Sequence, residues 1–325
     1  MVKIPKGTLS PTIEKIYQSY VDRPDDWRRD HLGASQIGGG CLRALWYTFR
    51  WCSRPQFGGR MLRLFDTGKR EEGRLIKELR NVGVTVYDKD PGCGLQVTSH
   101  LFGGHFGGSL DAVAIGFEEA PKTFHVCEMK TSNTRDFEKL ERSGVKKVKP
   151  QHFAQMQVYM ILEGLERAYY FCVCKETDEI YGERVEYDAE FAKGLVEKAR
   201  RIVFSQAPLF KITDDPDLMD ECKWCTHRGV CFENRLPEIS CRTCAWVTPG
   251  EDGSWICDQK DQKLSSSEQR HPCEKHIYIP DLIPLQMVKG DSETGRVEYA
   301  GGIVNGPGAI ASKDLQAVID GKGLK

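Results

Sequence analysis

The order of apolar and polar positions divides the chain into an α-rich entry, a strand-rich middle and a cysteine-rich end. "SPTIEKIYQSY" predicts a helix with Ser10 as N-cap and Pro11 at the first helical position, and "CLRALWYTFRW" continues with apolar residues at helical spacing. "MLRLFDTGKREEGRLIKELRNVG" predicts a further helix, closed by Gly83 in a left-handed conformation. From Val84 to about Thr131 the period shortens: "VTVY", "LQVTS", "HFGGSLDAVAIG" and "TFHVCEMKT" are β-prone and separated by turn residues. A helix over "KPQHFAQMQVYMILEGL", strands in "AYYFCVCKE" and "IYGERVEYD", and a helix over "AEFAKGLVEKARRIVFS" complete the pattern. This order predicts an α/β fold with a mixed central sheet flanked by helices, and no internal repeat is visible.

After Pro216 the chain is rich in Cys, Trp and turn residues as far as about Pro284. Residues 286–325 are Gly-rich with few large apolar side chains, and "VEYAGGIVNG" is their hairpin-like signal. The expected organisation is therefore an α/β domain over 1–235, a cysteine-rich module over 236–285, and a tail over 286–325 that packs weakly or is mobile.

Composition narrows the function classes. The 325 residues carry a formal net charge of −1, so nucleic-acid binding must come from local basic patches rather than from overall charge. No apolar run reaches membrane-spanning length and "MVKIPKGTLS" lacks the apolar core of a leader, which predicts a soluble cytoplasmic protein without a membrane partner. The 13 cysteines include CxxC pairs, and in an unexported chain of this size these point to metal ligation rather than disulfides.

Within "CEMKTSN", alternation along a strand puts Glu128 and Lys130 on one face and Cys127 and Met129 on the other. Such a charged pair at the end of a buried strand is costly to desolvate unless an ion or substrate completes it. Asp111 in "GGSLDAVAIG" falls in the middle of an otherwise apolar strand, where Asp is disfavoured. Asp111 and Glu128, with the Met129 carbonyl as a third oxygen, suit Mg²⁺ or Mn²⁺, and Lys130 would orient an attacking water or stabilise a transferring phosphoryl group. Gln155 and Tyr159 stand one turn apart on the following helix and share a face. An ExK pair alone is more often a surface salt bridge, and the ordered combination of Asp, ExK and this helix is what gives it weight.

In these stretches the chain resembles the PD-(D/E)xK nuclease superfamily, specifically its RecB-like branch: "SLD", "EMK" and "QMQVY" match the Asp, ExK and QxxxY motifs in order, over residues 30–235. The resemblance implies a restriction-endonuclease-like fold and a DNA exonuclease of phage or recombination type, acting on single strands or duplex ends in the host cytoplasm, with a helicase or recombination protein as a partner and an oligomer left open. Carried over by residue, it implies Asp111 and Glu128 as metal ligands, Lys130 as the catalytic lysine, and Gln155 and Tyr159 as residues that orient the site and contact DNA. "GKREE" matches the family's first motif as Gly68 and Glu72, which makes Glu72 a metal ligand, although Glu71 is adjacent and a solvated helix face has the same pattern.

"CKWCTHRGVC" supplies Cys222, Cys225 and Cys231, and a closed tetrahedral site needs one ligand more. Related nucleases of the AddB type and of CRISPR adaptation resemble this pattern, with one Cys ahead of the nuclease motifs and three after them holding a 4Fe-4S cluster. The resemblance makes Cys41, in "CLR", the distant partner. Zinc remains the alternative metal, Cys52 is a poorer fourth ligand, and Cys93, Cys127, Cys172 and Cys174 have the pattern of buried strand thiols. Such a site would act first as a staple that closes a long loop.

Cys241, Cys244, Cys257 and Cys273 form a second set around "WVTPGEDGSWIC", a zinc-ribbon-like signature for Zn²⁺ with His271 and His276 as alternative fourth ligands. Basic residues Lys139, Arg142, Lys146, Lys147 and Lys149, and Arg60, Arg63, Lys69 and Arg70, flank the motifs, where they either neutralise phosphates or form a solvated face. Trp46, Trp51 and Trp224 either stack on bases or pack around the first thiol set. Two other classes of function fit parts of the pattern: a non-cleaving nucleic-acid-binding protein on a nuclease fold, and a metal- or redox-sensing regulator.

Overall fold

The structure, a computed structural model, describes residues 10–23 and 27–321; the leader reading of the first nine residues lies outside them. Helix α1 (Pro11–Val21) starts at Pro11 as expected, although the Ser10 side chain makes no cap bond. After the short strand β1 (Leu32–Gly33) come α2 (Leu42–Phe49) and the long α3 (Gly59–Asn81), and Gly83 at φ 93° turns the chain out of α3 into β2 (Thr85–Tyr87).

Strands β3 (Thr98–Leu101), β4 (Phe106–Ser109), β5 (Ala112–Ile115) and β6 (His125–Ser132) follow. The stretch expected as one strand, "HFGGSLDAVAIG", is two strands in two sheets: β4 lies between β1 and β3, whereas β5 lies between β2 and β6. The chain changes sheets at Leu110 and Asp111. Leu110 is fully buried and held by its own backbone, donating to the Val97 carbonyl at 2.9 Å and accepting from Gln96 Nε2 at 2.8 Å. Asp111 thus occupies a joint and not the middle of a strand, which removes the conflict between its type and a sheet interior.

Helix α4 (Thr134–Val148) has no counterpart in the sequence reading. Its only buried residues are Phe137, Leu140 and Val145 among many charges, so its apolar stripe is thin. Asn133 caps it by accepting from the Asp136 amide at 2.8 Å. At Gly144 (φ 72°) the helix kinks, and the freed Val145 amide donates to Glu183 at 2.7 Å. Then come α5 (Pro150–Glu163), ended by Gly164 in the left-handed region, β7 (Arg167–Cys174), β8 (Ile180–Glu186) and α6 (Ala189–Phe204).

The central sheet has the order β2-β5-β6-β7-β8 and is mixed, as expected: β6 and β7 run parallel, and the other neighbours are antiparallel. One side is covered by α4 and α5 through Leu140, Met156 and Val158 against Val126 and Tyr170, with α6 packed on α5, and the other by α3 through Leu75 and Ile76 against Cys127, Met129 and Phe171. Each such fully buried Leu, Val, Phe or Met side chain contributes about 1.5–3 kcal/mol. Strand β6, covered on both sides, is where a charged residue is most conspicuous.

Two short helices, α7 (Asp220–Lys223) and α8 (Arg228–Phe232), precede a three-stranded antiparallel sheet of β9 (Val247–Pro249), β10 (Trp255–Cys257) and β11 (Gln262–Leu264), followed by α9 (Ser266–Arg270). This module shares a core with the α/β domain, since Val247, Trp255 and Leu264 belong to the same buried cluster as Trp46, Phe49 and Phe106. Its β9–β10 turn seats backbone to backbone on the 102–104 turn. A Cβ at Gly103 would strike Asp252 and one at Gly253 would strike Gly103, and both glycines have positive φ.

The tail corrects its expectation. β12 (Met287–Asp291), β13 (Arg296–Tyr299) and β14 (Ile303–Asn305) form an antiparallel sheet, closed by α10 (Leu315–Gly321). Val297, Tyr299, Ile303, Leu315 and Ile319 make a buried core with Ile277, Tyr278 and Ile283. Most of its large apolar residues turn to this core, which low overall hydrophobicity concealed, whereas Met287 and Val288 of β12 are exposed. Cys93, expected among buried strand thiols, is exposed in a turn, whereas Cys127, Cys172 and Cys174 are buried. Among the described residues no helix is long and apolar enough to cross a membrane.

Candidate active site

The charged pair lies on β6, the middle strand of the central sheet. Glu128 is 0% exposed and forms an ion pair with Lys130 Nζ, which also approaches Asp111 Oδ2 at 3.5 Å and the Met129 carbonyl at 3.2 Å. Asp111 Oδ2 accepts from the Met129 amide at 2.7 Å, so the joint between β4 and β5 is tied directly to the ExK strand. Lys130 Nζ meets Glu128 Oε1, and Oε2 has no hydrogen-bond donor. A carboxylate buried in this way costs several kcal/mol unless a cation completes it.

Electrostatics follow from that burial. Desolvation pushes the Glu128 carboxyl up to about 8, against the pull of Lys130. Burial works against the Lys130 ammonium as well, but Glu128 and Asp111 outweigh it and hold its pKa above the ordinary value. The two shifts belong to one coupled pair, and the protonated lysine between two acids is its firm member. Glu72 on α3 joins the group: burial and then the charge of Asp111 push its carboxyl up to about 7. Glu71 turns to Arg74 instead, at 3.4 Å, which separates the two adjacent acids.

Gln155 and Tyr159 are both buried on α5. The Tyr159 hydroxyl accepts from Gln155 and donates to the Ser109 carbonyl at 2.7 Å, two residues ahead of Asp111. Gly108 leaves room for that hydroxyl, since a Cβ there would stand 2.8 Å from it. Both residues therefore brace the Asp111 joint, and neither offers a solvent-facing surface. His152, three residues ahead of Gln155 and on the same side of α5, was missed in the sequence; its Nδ1 lies 2.9 Å from the hydroxyl of Tyr170, the register partner of Glu128.

The basic residues around the site are mostly engaged locally. Lys149 and Lys139 both reach Asp136, at 2.6 and 3.4 Å, Arg142 reaches Glu138 at 3.6 Å, and Arg70 reaches Asp66 at 3.2 Å. Trp46 and Trp51 are buried, whereas Trp224 is 88% exposed.

Cys41, the N-cap of α2, meets Cys222, Cys225 and Cys231 around one cavity also bordered by Arg43, Tyr47, Lys211 and His227. Cys52 does not line it. Cys241, Cys244, Cys257 and Cys273 line a second cavity. Among the described residues no group of three or more His, Cys, Asp or Glu side chains is arranged so as to hold a metal ion.

No family model and no curated protein matches the sequence. Among solved structures the chain is similar to the crystal structure of SSO0001, with 15% identity and a TM-score of 0.39 over 69% of this chain and 95% of that one. It is also similar to LHK-Exo in complex with dAMP, with 16% identity and a TM-score of 0.40 over 58% of this chain and 90% of that one. A further similarity is to an alkaline exonuclease, LHK-Exo, from Laribacter hongkongensis, with 15% identity and a TM-score of 0.37 over 58% and 90% of the two chains.

Proposed function

We propose that this chain is a divalent-metal-dependent DNA nuclease of the RecB-like PD-(D/E)xK type, working as an exonuclease. The observation that carries the reading is the fully buried Glu128 carboxylate, paired with Lys130 through Oε1 and without a donor at Oε2, set beside Asp111 on adjoining backbone. A buried carboxylate with one unpartnered oxygen, next to a second carboxylate, is a donor set that fits Mg²⁺ or Mn²⁺. Asp111, Glu128 and the Met129 carbonyl would hold the ion, with Glu72 as a further carboxylate. When bound, it supplies Lewis-acid stabilisation of charge on a phosphodiester.

The protein's own groups supply the rest. Lys130 is kept protonated by its two acidic neighbours and is placed to steady negative charge on the transferring phosphoryl group. Tyr159 and Gln155 fix the backbone ahead of Asp111, so that the acid is presented without rearrangement. The strand β6 backbone is held by β5 and β7 on either side, which limits drift of Glu128 and Lys130. DNA is the substrate class, and end-directed degradation belongs to the same reading.

The four thiols Cys41, Cys222, Cys225 and Cys231 fit a soft metal, and we assign them a 4Fe-4S cluster that fastens α2 to the α7–α8 segment. Two experiments test these assignments. Linear end-labelled DNA is digested with Mg²⁺ or Mn²⁺ and with the Asp111→Ala variant: degradation lost in the variant is expected, and degradation unchanged would sink the nuclease reading. Anaerobic purification should give a brown protein absorbing at roughly 400 nm, and a colourless protein carrying only zinc would replace iron by zinc at that site.

A further inference from the structure

The second set of thiols is not used by the nuclease reading and lies on a different part of the molecule. Cys241, Cys244 and Cys257 are buried and Cys273 is exposed at the rim of the cavity they line. The surrounding walls combine Val247, Leu264 and Pro272 with Gln259, Lys260 and Lys275. Cys241 Sγ donates to the Glu268 carbonyl at 3.3 Å. The electrostatic environment of Cys241 contains the other three cysteines, and that of Cys244 contains Cys257 and Cys273. His276 also borders the cavity, but its Nε2 lies 3.1 Å from the Ser240 carbonyl and its ring stands edge-on to Tyr278 at 4.9 Å. His271 Nδ1 is 2.9 Å from the Ser267 carbonyl and does not line the cavity.

The first knuckle of this set, Cys241 to Cys244, also carries Arg242, whose side chain reaches from the module to the α/β domain. Its guanidinium is 1% exposed and donates to the carbonyls of Phe49 at 3.2 Å and Asp30 at 3.0 Å and to Gln269 Oε1 at 3.0 Å. It stacks on Trp51 at 3.8 Å and on Trp255 at 4.4 Å. Trp51 itself sits at φ 58°, a strained position for a bulky residue that persists only where its surroundings hold it. Arg50 answers from the other side, donating to the carbonyls of Arg242 at 3.2 Å and Val247 at 3.0 Å.

We propose that Cys241, Cys244, Cys257 and Cys273 bind one structural Zn²⁺, and that this ion fixes the knuckle from which Arg242 locks the module onto the α/β domain. Four thiolates with no open position suit a closed tetrahedral site, and each thiol releases its proton as it ligates. The ion takes no part in hydrolysis. It holds the turn that keeps a buried arginine aligned with backbone carbonyls a long way off in sequence, a contact that the short strands β9, β10 and β11 are too small to enforce alone.

The test is metal analysis of the full-length wild-type chain beside Cys257→Ser, Cys273→Ser and His276→Ala. Loss of one zinc equivalent per chain is expected in both serine variants, with none lost in His276→Ala. Zinc unchanged in the serine variants, or lost in His276→Ala, overturns the ligand set. If the serine variants do not fold, X-ray absorption at the zinc edge of the wild type decides: an all-sulfur shell at roughly 2.3 Å is expected, and nitrogen or oxygen in the shell overturns the assignment. The lock is tested by removing zinc with a chelator while following tryptophan emission, which should shift to the red as Trp51 and Trp255 become wet. Emission that stays unchanged after zinc is gone overturns the lock.

Discussion

The amide of Met129 donates to the carboxylate of Asp111 at 2.7 Å, which joins the strand that carries the ExK pair to the point where the chain changes sheets. One carboxylate oxygen therefore serves both the fold and the candidate site. The same Oδ2 is 3.5 Å from Lys130 Nζ, so structure and chemistry separate only when the oxygen and the charge are removed independently.

That separation is the first expected outcome. Asp111→Asn keeps an oxygen for the Met129 amide and should retain wild-type stability within about 1 kcal/mol, yet lose DNA hydrolysis. Asp111→Ala should lose activity and also about 1–3 kcal/mol of stability, the cost of an unpaired buried amide. Urea melts alongside DNA digestion check both variants, and an active Asp111→Asn would refute the role of the charge.

Tyr159→Phe removes the bond to the Ser109 carbonyl but leaves the ring in place. We expect a loss of about 1 kcal/mol in stability and a roughly tenfold drop in kcat, equivalent to about 1.4 kcal/mol, with KM for DNA little changed because Tyr159 is buried. A change confined to KM would instead assign it to DNA contact.

Arg242→Ala empties a stacked and hydrogen-bonded position between two aromatic rings. Burial already pushes the pKa of this guanidinium well down, so it is held by its partners and not by solvent. We expect a loss on the order of 3 kcal/mol, read by urea unfolding. Lys should not rescue it, since an ammonium cannot reproduce the planar stack and fork. Full rescue by Arg242→Lys would contradict this account.

Acidification has a defined sign for His31. Burial, then the neighbouring His100, lowers its pKa to about 4 in the folded chain, against about 6.5 when unfolded. Between those values the unfolded chain binds more protons, so the stability of the folded state is complete above about 6.5 and falls as pH drops toward 4. Glu128 and Glu72, raised to about 8 and about 7, act in the opposite direction over part of that range. The histidine contribution is therefore read as a difference: from pH 7 to pH 5 wild type should lose roughly 1 kcal/mol more than His31→Gln, a figure reduced for the solvent around a half-buried ring. Equal losses in the two proteins would remove His31 from the acid response.

Local pattern alone decided a good deal. The helices beginning at Pro11 and Pro150 start where proline fits the first turn, and Gly83 and Gly164 end helices because a left-handed residue must follow. Alternation put Glu128 with Lys130 and turned Cys127 and Met129 to the opposite layer, since side chains in any strand alternate. These are properties of a few neighbouring residues, and a sequence carries them in full.

What the sequence left open depended on groups far apart along the chain. Asp111 looked like a misfit inside a strand, and only the pairing of β4 with β1 and of β5 with β6 shows that the strand ends there. Gln155 and Tyr159 were expected to orient the site and contact DNA, and only the packing of α5 on the sheet shows the tyrosine hydroxyl bound to the Ser109 carbonyl. The tail acquires a core because Ile277, Tyr278 and Ile283 supply apolar surface that residues 286–325 lack by themselves. Arg242 lies between two of the cysteines, and its partners at Asp30, Phe49 and Trp51 belong to the other end of the chain. Burial and partner choice are sums over the whole fold, so the tertiary structure alone assigns them.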